Sequence, residues 1–167
     1  MAQIDLKHAT LTIKDGAGHS LYVKIGEGNL TYTENREIQY VPDRGVLDEV
    51  REGDQQPMDV NFDFVWEYLK GPSSGSSAGG VPTIEDALKK RGGAADWTSS
   101  DEDHCRPYAV DLVVEYIPDC LPGDKEVITL PDFRHEQLTH DLRAGTISAT
   151  GKCNATEAIP VRSAIVT

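Results

Sequence analysis

The sequence predicts a mainly β domain with one flanking α-helix, and three observations carry that expectation. From Met58 to Tyr68 every even position is apolar (Met58, Val60, Phe62, Phe64, Trp66, Tyr68), while Asp59, Asn61, Asp63 and Glu67 take odd positions, broken only by Val65. A strand turns successive side chains to opposite faces, so this stretch builds one greasy face and one acidic face. Tyr108 to Ile117 repeats the pattern, with Tyr108, Val110, Leu112, Val114 and Tyr116 set against Asp111 and Glu115. Short alternating runs separated by glycine-rich turns fill most of the rest, and helical periodicity shows once.

The elements follow in order. His8 to Lys14 alternates through Ala9, Leu11 and Ile13, the run Asp15-Gly16-Ala17-Gly18 reads as a turn, and Leu21, Val23 and Ile25 mark a second strand. Asn29 to Thr33 and Glu37 to Val41 read as further strands. Residues 42–56 are polar and broken by Pro42, Gly45 and Gly53, which predicts a long hairpin loop. Residues 71–80 consist of Gly and Ser in eight of ten places, a composition suited to a flexible loop over 71–81. A helix is expected over 83–91: Thr83 suits the N-cap, Glu85 and Asp86 the first turn, Lys89 to Arg91 the last turn, and Gly92 the C-cap. Its stripe of Ile84, Ala87 and Leu88 is a core-packing face. Asp124 to Leu130, Arg134 to Leu142, Thr146 to Lys152 and Glu157 to Val161 complete eight to ten strands in a single domain, 1–167.

The chain carries a formal net charge of −12. That balance argues against gripping a nucleic-acid backbone or an anionic lipid surface, both of which select basic patches. Eight acids and two bases lie between Asp43 and Glu67, half of the net charge. No apolar run is long enough to span a bilayer. Met1 to Lys7 lacks a basic start followed by an apolar stretch, so no signal peptide is expected. Cys105, Cys120 and Cys153 make an odd count, which predicts reduced thiols; with His104 they could supply four zinc ligands, but no C-x-x-C pair supports a site, and neither metal nor cofactor is expected. There is no nucleophile-elbow serine, phosphate-binding loop or H-E-x-x-H pair, so an enzyme is not expected. His135 and His140, five apart on a strand, would point to opposite faces.

The order of features resembles a family. Short N-terminal strands lead to a long loop, the long strand, one helix and a second long strand. The run Leu130-Pro131-Asp132-Phe133 then leads to Ala144-Gly145-Thr146-Ile147-Ser148-Ala149-Thr150-Gly151-Lys152-Cys153-Asn154. Together with Gly45 to Glu67, this is similar to the major tail tube proteins of long-tailed bacteriophages. The resemblance implies a β-sandwich flanked by a helix, six copies closing a ring whose inner sheets join in a continuous β-barrel. It also implies rings stacked around a tape measure protein, with tail terminator and distal tail proteins as further partners. Genomic DNA would pass through without specific binding, and no membrane would be involved. It places the protein in the virion tail, after synthesis in the host bacterial cytoplasm.

On that resemblance the loop carrying Arg44, Asp48, Glu49, Arg51, Glu52 and Asp54 reaches a neighbouring subunit, and the terminal arms, Met1 to Asp5 and Ile159 to Thr167, make stacking contacts. Asp59, Asp63 and Glu67 share one acidic strand face, and Asp111 and Glu115 another; the resemblance implies that at least one of these faces lines the channel. The Gly/Ser segment departs from the family pattern. A soluble β-sandwich binding module, carbohydrate-binding for example, is the alternative, with Trp66, Trp97, Tyr108 and Tyr116 as stacking residues; Trp66, Tyr108 and Tyr116 fall on apolar strand faces, which favours core positions for them.

Overall fold

The computed structural model describes residues 9–25, 29–66, 82–117 and 124–164. Glu67, the Gly/Ser segment 71–81, Cys120 and the Met1–Asp5 arm lie outside the described residues. The elements are β1 (Ala9–Lys14), β2 (Ser20–Val23), β3 (Leu30–Thr33), β4 (Arg36–Asp43), β5 (Val46–Gln55), β6 (Met58–Val65), α1 (Ile84–Lys89), β7 (Val110–Tyr116), β8 (Asp124–Asp141), β9 (Thr146–Cys153) and β10 (Ile159–Ala164). The described residues are mainly β with a single short α-helix, as the alternating patterns predict. All strand pairs are antiparallel.

Eight strands form one sheet in the order β2-β1-β7-β8-β9-β6-β3, with β10 also on β8; β4 and β5 form a separate two-stranded sheet. The long β8 spans what the sequence divides into two strands. Its first half pairs with β7 and β10, the last β7 partner being Phe133 opposite Val110, and from Phe133 onward it pairs with β9. The change of neighbours falls at Pro131-Asp132. Proline has no N–H for the ladder, and Asp132 sits at φ 53, so β8 carries one more residue than β7 across Val110 to Leu112. The sheet thus divides into a first half (β2, β1, β7, start of β8, β10) and a second half (end of β8, β9, β6, β3).

Both halves feed one core. Leu11, Ile13, Val23, Leu112 and Leu130 from the first half join Met58, Val60, Phe62, Phe64, Ile147 and Cys153 from the second, all nearly inaccessible to water. Phe62 meets Phe133 with ring centroids 5.8 Å apart. Each such side chain contributes about 1.5–3 kcal/mol through burial. The even positions of β6 and β7 are the buried ones, as the alternation predicts.

Helix α1 is shorter at its end than the expected 83–91. Thr83 caps it in a capping box with Asp86, and Lys90 takes the left-handed C-cap conformation assigned by sequence to Gly92. Ile84, Ala87 and Leu88 enter the core. The helix is clasped to the second half of β8 from both histidines of that strand: His140 Nε2 lies 3.2 Å from Glu85, and the His135 ring hydrogen-bonds to the Leu88 carbonyl. The opposite-face expectation for His135 and His140 is therefore overturned. A bulge at Glu136 adds a residue between them, so they sit opposite Gly151 and Ile147, four apart on β9, and share a face. Gly151 suits this place because a Cβ there would lie 2.1 Å from the Arg134 carbonyl.

Candidate functional site

The second half of the sheet presents a polar outward face. Register places Thr33, Asp59, Lys152 and Arg134 in one row across four strands, Thr31, Asn61, Thr150 and Gln137 in the next, and Asp63, Ser148 and Thr139 in a third. Asp59 and Asp63 are thus brought together as the sequence anticipates. The face is less acidic than expected, because a strand is not read alone: its cross-strand neighbours set the local charge. Lys152 stands 3.8 Å from Asp59, Asn35 Nδ2 donates to the same carboxylate at 2.9 Å, and the Ser148 hydroxyl donates to Asp63 at 2.5 Å. Arg134 is held by Asp101 at 2.7 Å and donates to the Pro107 carbonyl. This half-sheet has two edges. Among the described residues β3 pairs on one side only, with β6, and from Arg134 to Asp141 the strand β8 pairs only with β9.

Asp111 and Glu115 behave differently from each other. Glu115 is part-exposed, 4.0 Å from Lys125. Asp111 is half-buried at the β8 kink, where its Oδ1 accepts the N–H of Asp132, the residue that the extra position leaves without a ladder partner. Burial pushes the Asp111 carboxyl above its ordinary range, and the Asp132 charge adds to this. Asp111 is a bulge acceptor, a role hidden from sequence because it depends on which strand lies alongside.

The outward face of the first half is apolar by comparison. Tyr22, Thr12, Val113, Thr129 and Ile159 form one row, and Thr10, Glu115, Val127 and Val161 the next. Tyr22, Ile159 and Val161 are each more than half exposed. Sequence reasoning did not single these out.

The segment expected as a loop over 42–56 is instead mostly strand. β4 and β5 zip together around a two-residue turn in which Arg44 and Gly45 both have positive φ, 51 and 81. Polar composition hides such a strand, because both of its faces meet water in the single chain. Ile38, Tyr40, Pro42, Leu47 and Val50 share one face of the hairpin, and Gln39, Val41, Glu49 and Arg51 the other. Tyr40, Leu47 and Val50 are more than 60% exposed. Of the residues expected to meet a neighbour, Arg51 pairs with Glu49 at 2.8 Å and Glu52 with Arg36 at 2.6 Å, while Arg44, Asp48 and Asp54 are exposed. Gln56 Nε2 donates to Glu37 at 3.1 Å at the hairpin root.

Among the described residues no three of His, Cys, Asp or Glu are gathered in a group that could hold a metal ion. Cys153 is in the core, where burial first and the charges of Asp111 and Asp132 next push its thiol up to about 12; Cys105 is exposed. Of the aromatic residues considered for glycan stacking, Trp97 and Tyr116 are buried and Tyr108 donates its hydroxyl to the Ala87 carbonyl. Trp66, expected in the core, is 38% exposed beside His140. No protein-family model, curated protein or solved structure matches the chain.

Proposed function

We propose that this protein is a structural subunit that polymerises into a hollow tube, of the kind that the resemblance to phage tail tube proteins implies. The observation that carries the reading is the second half-sheet. It has a hydrophobic core behind it, a hydroxyl-rich polar face in front, and edges at β3 and at Arg134–Asp141 that no other described strand pairs. Unpaired edges invite pairing with another chain, and a head-to-tail pairing of two different edges closes into a ring. In such a ring of six the face bearing Asp59 and Asp63 lines the channel. Lys152 offsets Asp59 and Asp101 neutralises Arg134, so Asp63 leaves a wet, weakly negative wall past which DNA slides without adsorbing. The tape measure, tail terminator and distal tail proteins are the partners this role requires, and the virion is its location.

Size-exclusion chromatography with negative-stain microscopy tests the reading: rings or hollow tubes support it, and a chain that stays monomeric at high concentration overturns it. Replacing residues 39–51 with Asn-Gly removes the hairpin beyond the Ile38–Glu52 pair and rejoins its ends through a two-residue turn. That variant folds and closes rings but does not stack them; normal-length tubes would show that the hairpin is not the stacking element.

A further inference from the structure

We draw no further inference here: the strongest candidate, the acidic cavity of about 350 Å³ at the root of the β4–β5 hairpin lined by Glu34, Glu37, Glu52, Asp54 and Glu157, is a cluster of carboxylates with no second feature that points to a ligand, and Glu37 and Glu52 are already engaged by Gln56 and Arg36.

Discussion

The two outward faces of the one sheet share a backbone and differ in chemistry. On β3, β6, β9 and the end of β8 the side chains facing out are Thr, Ser, Asn, Gln and partnered charges. On β1, β2, β7, β10 and the start of β8 they include Val, Ile and Tyr. Both sets satisfy the preferences of a pleated surface, so strand formation does not explain the difference. Exposure does. The polar face loses nothing in water, whereas the apolar face forgoes about 25 cal/mol for every Å² left uncovered. The first is at home in water, whereas the second leaves Tyr22, Ile159 and Val161 more than half exposed to it.

The largest effect is expected where the two faces share support. Phe62→Ala removes a ring that touches Phe64 and Phe133, and it should lower the unfolding free energy by about 3–5 kcal/mol. Both half-sheets should melt together in chemical denaturation; separate transitions would mean that the faces belong to independent units.

Next is the anchor of the apolar half. Asp15, in the β1–β2 turn, accepts N–H groups from Ala17, His19 and Thr98 and binds the His19 ring at 2.6 Å. Burial opposes its ionisation, but these donors, Thr98 foremost, outweigh it and hold the carboxyl below its ordinary value. The folded state therefore binds this proton more weakly than the unfolded chain. Its stabilisation is complete above the unfolded value of about 3.9 and is lost as pH falls through the folded value. Asp15→Ala should cost about 1–3 kcal/mol at neutral pH and flatten the acid limb of a stability-against-pH curve.

A smaller effect on folding is expected on the wet face. Replacing Asp59, Asp63 and Glu67 with Lys should change stability by about 1 kcal/mol, since the Asp59–Lys152 pair and the Ser148–Asp63 hydrogen bond are only part-buried. In assembled particles the same change should slow or retain DNA during ejection, and unchanged ejection kinetics would remove this face from the channel. The smallest effect concerns Asp111. Its raised pKa means that stability falls as pH rises through the interval above the ordinary carboxylate value. Asp111→Asn keeps the acceptor for Asp132 and removes the charge, so it should gain a few tenths to about 1 kcal/mol at neutral pH. An Asp111 free in a channel would show no such gain in a thermal melt.

Much of this was legible in the residues. Period-two alternation in β6 and β7 identified their buried faces, and Thr83 with an acidic first turn identified the start of α1, because these signals are local. Other features depend on pairing. The joined β8, with its kink at Pro131-Asp132, read as two strands; the bulge at Glu136 placed both histidines against the helix; and the polar run from Val46 to Gln55 read as a loop although it pairs with β4.

The sequence by itself determined that the chain is a β protein with one capped helix, which sides of β6 and β7 are buried, and that the whole is strongly acidic. Alternation, capping and charge act over a few residues, so they can be read without a partner strand. Only the tertiary structure decided what each outward side chain faces. Lys152 moderates Asp59, the β8 kink takes Asp111 out of the charged surface, and the apolar row from Tyr22 to Ile159 exists only across five strands far apart in sequence. A face is a property of register, and register is set by neighbours that one strand does not name.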